Sequence, residues 1–478
     1  MKKLNLLAFI LFIGFSTNAQ DKKWTLEECI VHALENNISI KQSELDVELA
    51  DIQKSDAIGN LLPSFNASAT NSWNTGLTQN VTTGVLQTQT TRNFSAGVTA
   101  GMTLFDGLRN LKQLQRAKMA KLASQYSLEQ MKDDIALFVA NAYLQVLFNK
   151  ESLNVIRAQS EITQKQLERT QALVDAGSLP QGDLLEIRAN AANERQRIIV
   201  AENSIKISLI ALAQMLLIED YENFDIVDRQ YDVLGIEILD TPVSEIIARA
   251  EENRYEVKVA EQNKAIAEKD VEIAKGAYLP TLNAFFNYNT RESGMGRFIS
   301  GGLDPDEPYR TIGFVESTME PVVVPNTVSE LGNPLPFFEQ LQMNDGISYG
   351  VQLSIPIFNG FAVRNSVKRN EISVRRSEYL LEQTKLDLEA DIYQAYVDAQ
   401  GASEAYEAAL VAQEAQELAF NYATERYDVG LTNAFDYSQS QLNLENAQSE
   451  VVRTKFDYIF KLKVLELYFG VPITDLKF

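Results

Sequence analysis

Residues 124–143 read SQYSLEQMKDDIALFVANAY and residues 377–396 read SEYLLEQTKLDLEADIYQAY, identical at 9 of 20 positions with an offset of 377 − 124 = 253. Chance would give about one or two identities, so the chain is one unit written twice. The same offset pairs Phe105-Asp106-Gly107 with Phe358-Asn359-Gly360, and Asp175-Ala176-Gly177 with Asp428-Val429-Gly430. A second offset, 241 − 24 = 217, aligns residues 24–66 with 241–283 at 13 of 43 positions, including Gly59/Gly276 and Leu62-Pro63/Leu279-Pro280. The offsets differ by 253 − 217 = 36, so the second copy carries a 36-residue insertion between Asn283 and Ile347. Its six prolines and seven glycines predict a long surface loop over about 291–346.

Each copy then resolves into the same series. A helix of about 35 residues ends at Gly59 or Gly276, before a Leu-Pro pair that cannot continue it. A strand pair follows. Leu108 to Ala176 then runs 69 residues without Gly or Pro, and Phe361 to Val429 runs 69 with only Gly401. At 1.5 Å per residue such a run reaches roughly 100 Å as one helix, far beyond the usual helix. After turns at about 176–183 and 429–436, a second helix returns over about 183–217 and 436–469. Both rods are rich in Ala, Leu, Gln, Glu and Lys, with apolar residues at three-and-four spacing such as Ile135, Phe138, Val139 and Ala142, which suits coiled-coil packing.

The strands alternate. Phe94, Ala96, Val98, Ala100, Met102 and Leu104 share one face, with Ser95, Gly97, Thr99, Gly101 and Thr103 on the other. Residues 347–358 repeat the scheme, with Ile347, Tyr349, Val351, Leu353, Ile355 and Ile357 against Ser348, Gly350, Gln352, Ser354 and Pro356. Strands over about 64–73 and 282–290 put Phe65, Ala67, Ala69 and Trp73, and Leu282, Ala284, Phe286 and Tyr288, on one face, with Asn71 breaking the first pattern. About ten residues with an apolar outer and a small polar inner face is the pattern of a tilted membrane strand, while a soluble sandwich with one buried face is the other reading. Four strands cannot close a barrel, since small barrels need about eight. A membrane barrel here requires several copies of the chain.

Of 478 residues, 45% are hydrophobic, enough for several cores, and the charge is 43 − 65 = −22, which argues against nucleic acid as a partner. One Cys and one His exclude a disulfide within the chain and a Cys/His zinc set. No catalytic, cofactor-binding or metal-ligating constellation is present, and Gly294-Met295-Gly296 lacks the strand-turn-helix context of a phosphate loop. Residues 1–19 have Lys2 and Lys3, an apolar stretch from Leu4 to Phe15 and small residues up to Ala19, the three parts of a secretory signal. Cys29 lies too far past the cut to carry a lipid and is expected half-buried on a helix, as His32 is expected on a helix surface or in a core. No later segment approaches 18 consecutive apolar residues, so entry into a membrane is expected only as a closed barrel. The domain reading is a signal peptide at 1–19, a first repeat at 20–217, a linker at 218–241, a second repeat at 242–470 and a tail at 471–478.

Signal, duplication, two strands per copy, Pro356-Ile357-Phe358-Asn359-Gly360 leading into a 69-residue rod, and the tip from Tyr427 to Asp436 together resemble the TolC family of outer-membrane efflux proteins. The resemblance covers about residues 22–470. It implies a mixed, mainly α fold: a duplicated unit of long coiled-coil helices plus membrane strands, trimeric, with a 12-stranded β-barrel continued by a periplasmic α-helical barrel. It also implies a homotrimer in the outer-membrane lipid of a Gram-negative cell, a periplasmic adaptor, an inner-membrane transporter, no cofactor, and a passive duct for efflux or type I secretion rather than an enzyme. By alignment on the tip glycines, Asp183, Asp436 and Tyr427 match positions at the family's periplasmic aperture, whereas Thr432 replaces a gate arginine and Gln439 a second acid. Threefold symmetry would make each Asp a ring of three carboxylates that favours cations. Both also stand where a carboxylate complements a helix N-terminus. The tip turns, with Gly177, Ser178 and Leu179 and with Gly430, Leu431 and Thr432, are the implied adaptor contacts, and glycine C-capping accounts for the same glycines. The competing reading is a periplasmic coiled-coil structural protein without channel activity. The absence of a His or Met cluster lends no support to a dedicated metal exporter.

Overall fold

The computed structural model describes residues 23–79, 85–228 and 236–471; the signal segment lies outside them. In chain order the elements are β1 (Lys23–Trp24), α1 (Leu26–Asn36), α2 (Ile38–Gly59), β2 (Ser64–Gln79), β3 (Leu86–Phe105), α3 (Arg109–Asp175), α4 (Gln181–Met215), β4 (Asp225–Ile226), a 3-10 turn (Ile236–Asp240), α5 (Val243–Asn253), α6 (Tyr255–Gly276), β5 (Thr281–Ser293), β6 (Arg297–Leu303), β7 (Tyr309–Phe314), β8 (Pro321–Pro325), β9 (Thr327–Gly332), α7 (Phe337–Met343), β10 (Gly346–Ser354), α8 (Ala362–Asp428) and α9 (Ala434–Tyr468). The duplication is visible in the lengths. α3 and α8 each have 67 residues, and α4 and α9 each have 35.

The expected helix of about 35 residues is two helices in each copy. Asn37 leaves the helical region with ψ 134, and its side-chain Oδ1 accepts from the Ser39 N–H at 2.8 Å, starting α2. Arg254 makes the same break, also with ψ 134, between α5 and α6. α1 opens on a capping box, in which the Thr25 hydroxyl accepts from the Glu28 N–H and the Glu28 carboxylate accepts from the Thr25 N–H at 3.0 Å.

The chain divides into two compact units. One contains Ile52–Ala117 and Glu268–Ile372. Its main sheet is antiparallel with the order β10-β5-β3-β2, so β10 and β2 are its edges. Antiparallel partners share a face. The register Phe65↔Ala100, Ala100↔Phe286 and Phe286↔Tyr349 therefore places the apolar sets of all four strands on one side. On the other side the register Ser64↔Gly101, Asn66↔Thr99 and Ser348↔Asn287 assembles small and polar residues, with Phe285 among them opposite Gly101 and Gly350. The strands outrun the reading at β2 and β3, while β10 stops at Ser354 because Pro356 has no N–H for the ladder. Gly107, at φ 76, packs so closely on the backbone of Gly276 that a Cβ would overlap the Gly276 carbonyl, which explains why the Phe-Asp-Gly turn needs glycine. The insertion is not an irregular loop. Its β-branched and aromatic residues between the prolines pair β6 with β9 and β7 with β8, and α7 closes it.

The other unit contains the described residues up to Asp51 and those within Lys118–Ala267 and Ser373–Phe478. Its cores lie along the helices. One gathers Cys29, Ala136, Val139, Tyr143, Val146, Leu212 and Ile226; another gathers Ile246, Val257, Ile392, Ala399, Leu462 and Leu465. Cys29 is wholly buried rather than half-buried, and His32 stands edge-on to Trp24 at 5.1 Å. α8 leaves a stripe exposed to solvent: Tyr379, Leu386 and Tyr393 at spacing seven, and Val397, Val411 and Leu418 at multiples of seven. α4 is long and apolar enough to cross a membrane by length and composition, although no 18-residue run of it is wholly apolar. It too exposes Leu185, Ile199, Val200 and Ile207.

Candidate functional site at the helix tips

The α3–α4 and α8–α9 turns are built alike. At the first, Gly177 sits at φ 74; its N–H bonds to the Val174 carbonyl at 2.9 Å, and the Ser178 N–H bonds to the Leu173 carbonyl at 2.8 Å. At the second, Gly430 also sits at φ 74; its N–H bonds to the Tyr427 carbonyl at 3.1 Å, and the Leu431 N–H bonds to the Arg426 carbonyl at 2.8 Å. These paired bonds are the Schellman motif, which satisfies terminal carbonyls only if the C′ residue is left-handed. Gly177, Ser178, Gly430 and Leu431 are exposed, and Leu179 and Thr432 half-exposed.

The aspartates take equivalent places, three residues past the caps Pro180 and Asn433. At α9 the cap is Asn433, whose side chain accepts from the Asp436 N–H at 2.9 Å; the Asp436 carboxylate instead accepts from the Thr432 hydroxyl at 3.0 Å. At α4, Pro180 offers no side-chain cap, and the Asp183 N–H bonds to the Pro180 carbonyl at 3.2 Å. Neither carboxylate is thus consumed in capping a backbone N–H. Asp436 is exposed and Asp183 half-exposed, each adding negative charge at a helix N-terminus. Gln439 donates to Asn443 at 3.0 Å on the α9 surface.

Tyr427 is not presented like the aspartates. Its ring is buried in the tip core with Ile187, Phe420, Ala434, Tyr437 and Leu444, 5.1 Å from the ring of Tyr437. Its hydroxyl is buried and has no hydrogen-bond partner among the described residues. Burial, then the negative charge of Asp428, pushes the Tyr437 phenol up to about 12, so it stays neutral. Asp428 itself ties α8 to α3 through Arg169 at 2.6 Å.

Behind the tip lies a polar seam that sequence reading missed. Gln159, Thr163, Gln166 and Thr170 follow one another at spacings of four, three and four on α3, and all are buried. The Thr163 hydroxyl donates to Glu194 of α4 at 2.6 Å and accepts from Gln441 of α9 at 2.7 Å. Arg197 of α4 pairs with the buried Glu445 of α9 at 2.6 Å. Glu194, Arg197, Gln441 and Glu445 border a groove of about 220 Å³ between α4 and α9, which Ser438 and Phe435 also line. One guanidinium serves two buried carboxylates. Burial, seconded by the Glu445 charge and opposed by the Thr163 hydrogen bond and Arg197, pushes Glu194 up to about 7, and burial also raises Glu445. The missed signal was polar residues at the a and d spacing, where the flanking rod has apolar ones.

The family model described as outer membrane efflux protein matches residues 29–216 and 246–470. The chain is 23% identical over 380 residues to the outer membrane protein TolC of Vibrio cholerae, covering 78% of this chain and 75% of that one. It is 24% identical over 323 residues to the protein CyaE of Bordetella pertussis, covering 67% of this chain and 58% of that one. Among solved structures, the CmeC outer membrane channel of Campylobacter jejuni superposes with a TM-score of 0.73 at 17% identity, covering 93% of this chain and 85% of that one. Because the two matched segments are the two copies of the repeat, each with its strand pair and its helix tip, the chain belongs to the outer membrane efflux protein family.

Proposed function

We propose that three copies of this chain form one passive exit duct. Family membership makes the protein an outer-membrane efflux channel with a periplasmic extension, and the family is one of channels rather than enzymes. The observation that carries the trimer is the open sheet. One face exposes Phe65 (73%), Trp73 (64%), Tyr349 (79%) and Val351 (65%), and the sheet ends in two edges, β10 and β2. In a bilayer, unpaired edge N–H and C=O groups each cost several kcal/mol, so an edge must meet another edge. Two copies give eight strands filled by side chains; three give twelve, wide enough for a lumen lined by the small polar face. The exposed heptad stripe on α8 and the apolar stripe on α4 supply the helix-to-helix contacts between copies.

In this duct Asp183 and Asp436 form rings of carboxylates at the periplasmic aperture, and Tyr427 braces the aperture from within the tip core. The turns at Gly177, Ser178 and Leu179 and at Gly430, Leu431 and Thr432 meet a periplasmic adaptor, which links the duct to an inner-membrane pump for efflux or type I secretion. The duct acts as a conductor rather than an enzyme and leaves substrate choice to the pump. Light scattering on the detergent-solubilised protein tests the assembly. A complex of three chains is expected, and a monomer or dimer as the stable membrane form would overturn it.

A further inference from the structure

The insertion returns to the main sheet through α7. Phe337 stacks edge-on against Phe94 of β3 with ring centroids 5.1 Å apart, and Arg92 lies over the same ring at 5.5 Å. The Gln340 side chain donates to the Ser293 carbonyl at 3.0 Å and accepts from the Ser293 N–H at 3.1 Å, while the Thr290 hydroxyl donates to the Leu341 carbonyl at 2.6 Å. Under the helix, Arg92 pairs with the buried Glu292 at 2.7 Å. Phe94, Thr290 and Glu292 belong to the apolar side of the sheet, because the register pairs Phe94↔Glu292 and Ala96↔Thr290 in line with Val98↔Tyr288. α7 is therefore clamped onto that side, at the Ser293 end of β5 and midway along β3, which runs on with β2 to Leu86. Its own exposed residues include Phe338 at 77% and Met343 at 65%.

The depth of this position follows from strand geometry. An apolar band of about 25 Å, crossed at roughly 40° of tilt by a strand rising about 3.3 Å per residue, takes up about ten residues. Counted back from Leu104, the band ends near Phe94, where α7 begins to cover the sheet. Trp73, paired in register with Arg92, stands exposed at the same level, as an aromatic girdle residue does. We propose that α7 is a foot resting on the outer leaflet of the membrane, its exposed Phe338 seated at the boundary of lipid head groups and acyl chains while its roof over the Arg92–Glu292 pair keeps those charges out of the lipid. The occupant is lipid because α7 packs on the apolar side of the sheet and turns Phe338 and Met343 outward there, with Glu339 and Gln342 exposed beside them at head-group level. This inference rests on the barrel reading above.

The test is collision accessibility of a nitroxide in the full-length protein, with Cys29→Ala removing the native thiol and Phe338→Cys carrying the label, reconstituted in phosphatidylethanolamine–phosphatidylglycerol vesicles. Val351→Cys, on the apolar face, and Glu316→Cys, in the β7–β8 turn, are the references. The ratio of oxygen to water-soluble nickel collisions at 338 is expected on the order of tenfold above that at 316 and near that at 351. A ratio at 338 equal to that at 316, with 351 lipid-exposed, overturns the foot and leaves the barrel standing. Water exposure at 351 as well overturns the barrel reading and the foot with it.

Discussion

Replacing Glu194 with Gln should tighten the α4–α9 packing behind the tip, and only at the higher pH. Glu194 is 7% exposed and held up to about 7 against an ordinary glutamate value of 4.5. An acid whose native pKa is raised binds its proton more tightly when folded, so the folded form is disfavoured wherever the carboxylate must ionise. Below pH 4.5 the group is protonated in both states and costs nothing; between 4.5 and 7 the penalty grows, and above 7 it is complete. The span 7 − 4.5 = 2.5 pH units, at about 1.36 kcal/mol each, sets a ceiling of about 3 kcal/mol. Glutamine keeps an oxygen to accept from Thr163 and puts an N–H at the unpartnered Oε2. Amide hydrogen exchange over α4 and α9, corrected for intrinsic rates, measures the effect. At pH 8 the Glu194→Gln protein should exchange more slowly by up to about 100-fold, and at pH 5 the two proteins should nearly coincide. Equal protection at pH 8, or an equal gain at both pH values, would refute the reasoning, because either would mean that ionisation of Glu194 carries no penalty.

Two other perturbations address the tip. Gly177→Ala and Gly430→Ala meet no neighbour within 4 Å, so their cost is left-handed strain alone, about 1 kcal/mol each, seen as faster exchange confined to the turns with the rods unchanged. Replacing Asp183 and Asp436 by Ala together should lower the cation preference measured as reversal potential in single-channel recordings; unchanged selectivity would reduce both residues to partners of the helix dipole.

The repeat made most of this architecture readable. The gap of 69 residues free of proline and glycine became a 67-residue helix because nothing in it could stop one, and Gly177 and Gly430 marked the turns because only glycine takes φ 74 cheaply. The strand faces were readable because alternation has a period of two, and the register then aligned four separate patterns on one side of the sheet. Other features were hidden. The breaks at Asn37 and Arg254 carry no Gly or Pro; they depend on a side-chain cap or on tertiary packing, as where Arg254 is drawn between Asp133 at 3.6 Å and Glu256 at 3.0 Å. The insertion looked like a surface loop because prolines and glycines are frequent in it, yet prolines such as Pro321 and Pro325 stand at strand ends, where a missing N–H does no harm. The polar seam was overlooked because coiled-coil reading seeks apolar residues at a and d, and Thr163 and Gln441 are legible as partners only once their helices are side by side.

Conductance decides the central claim most directly. Purified, folded trimers added to a planar lipid bilayer should insert and give discrete current steps of one uniform size, each from a single twelve-stranded pore. Trimers that incorporate into the bilayer and never raise its conductance above the protein-free level would contradict the account and leave a coiled-coil structural protein in its place.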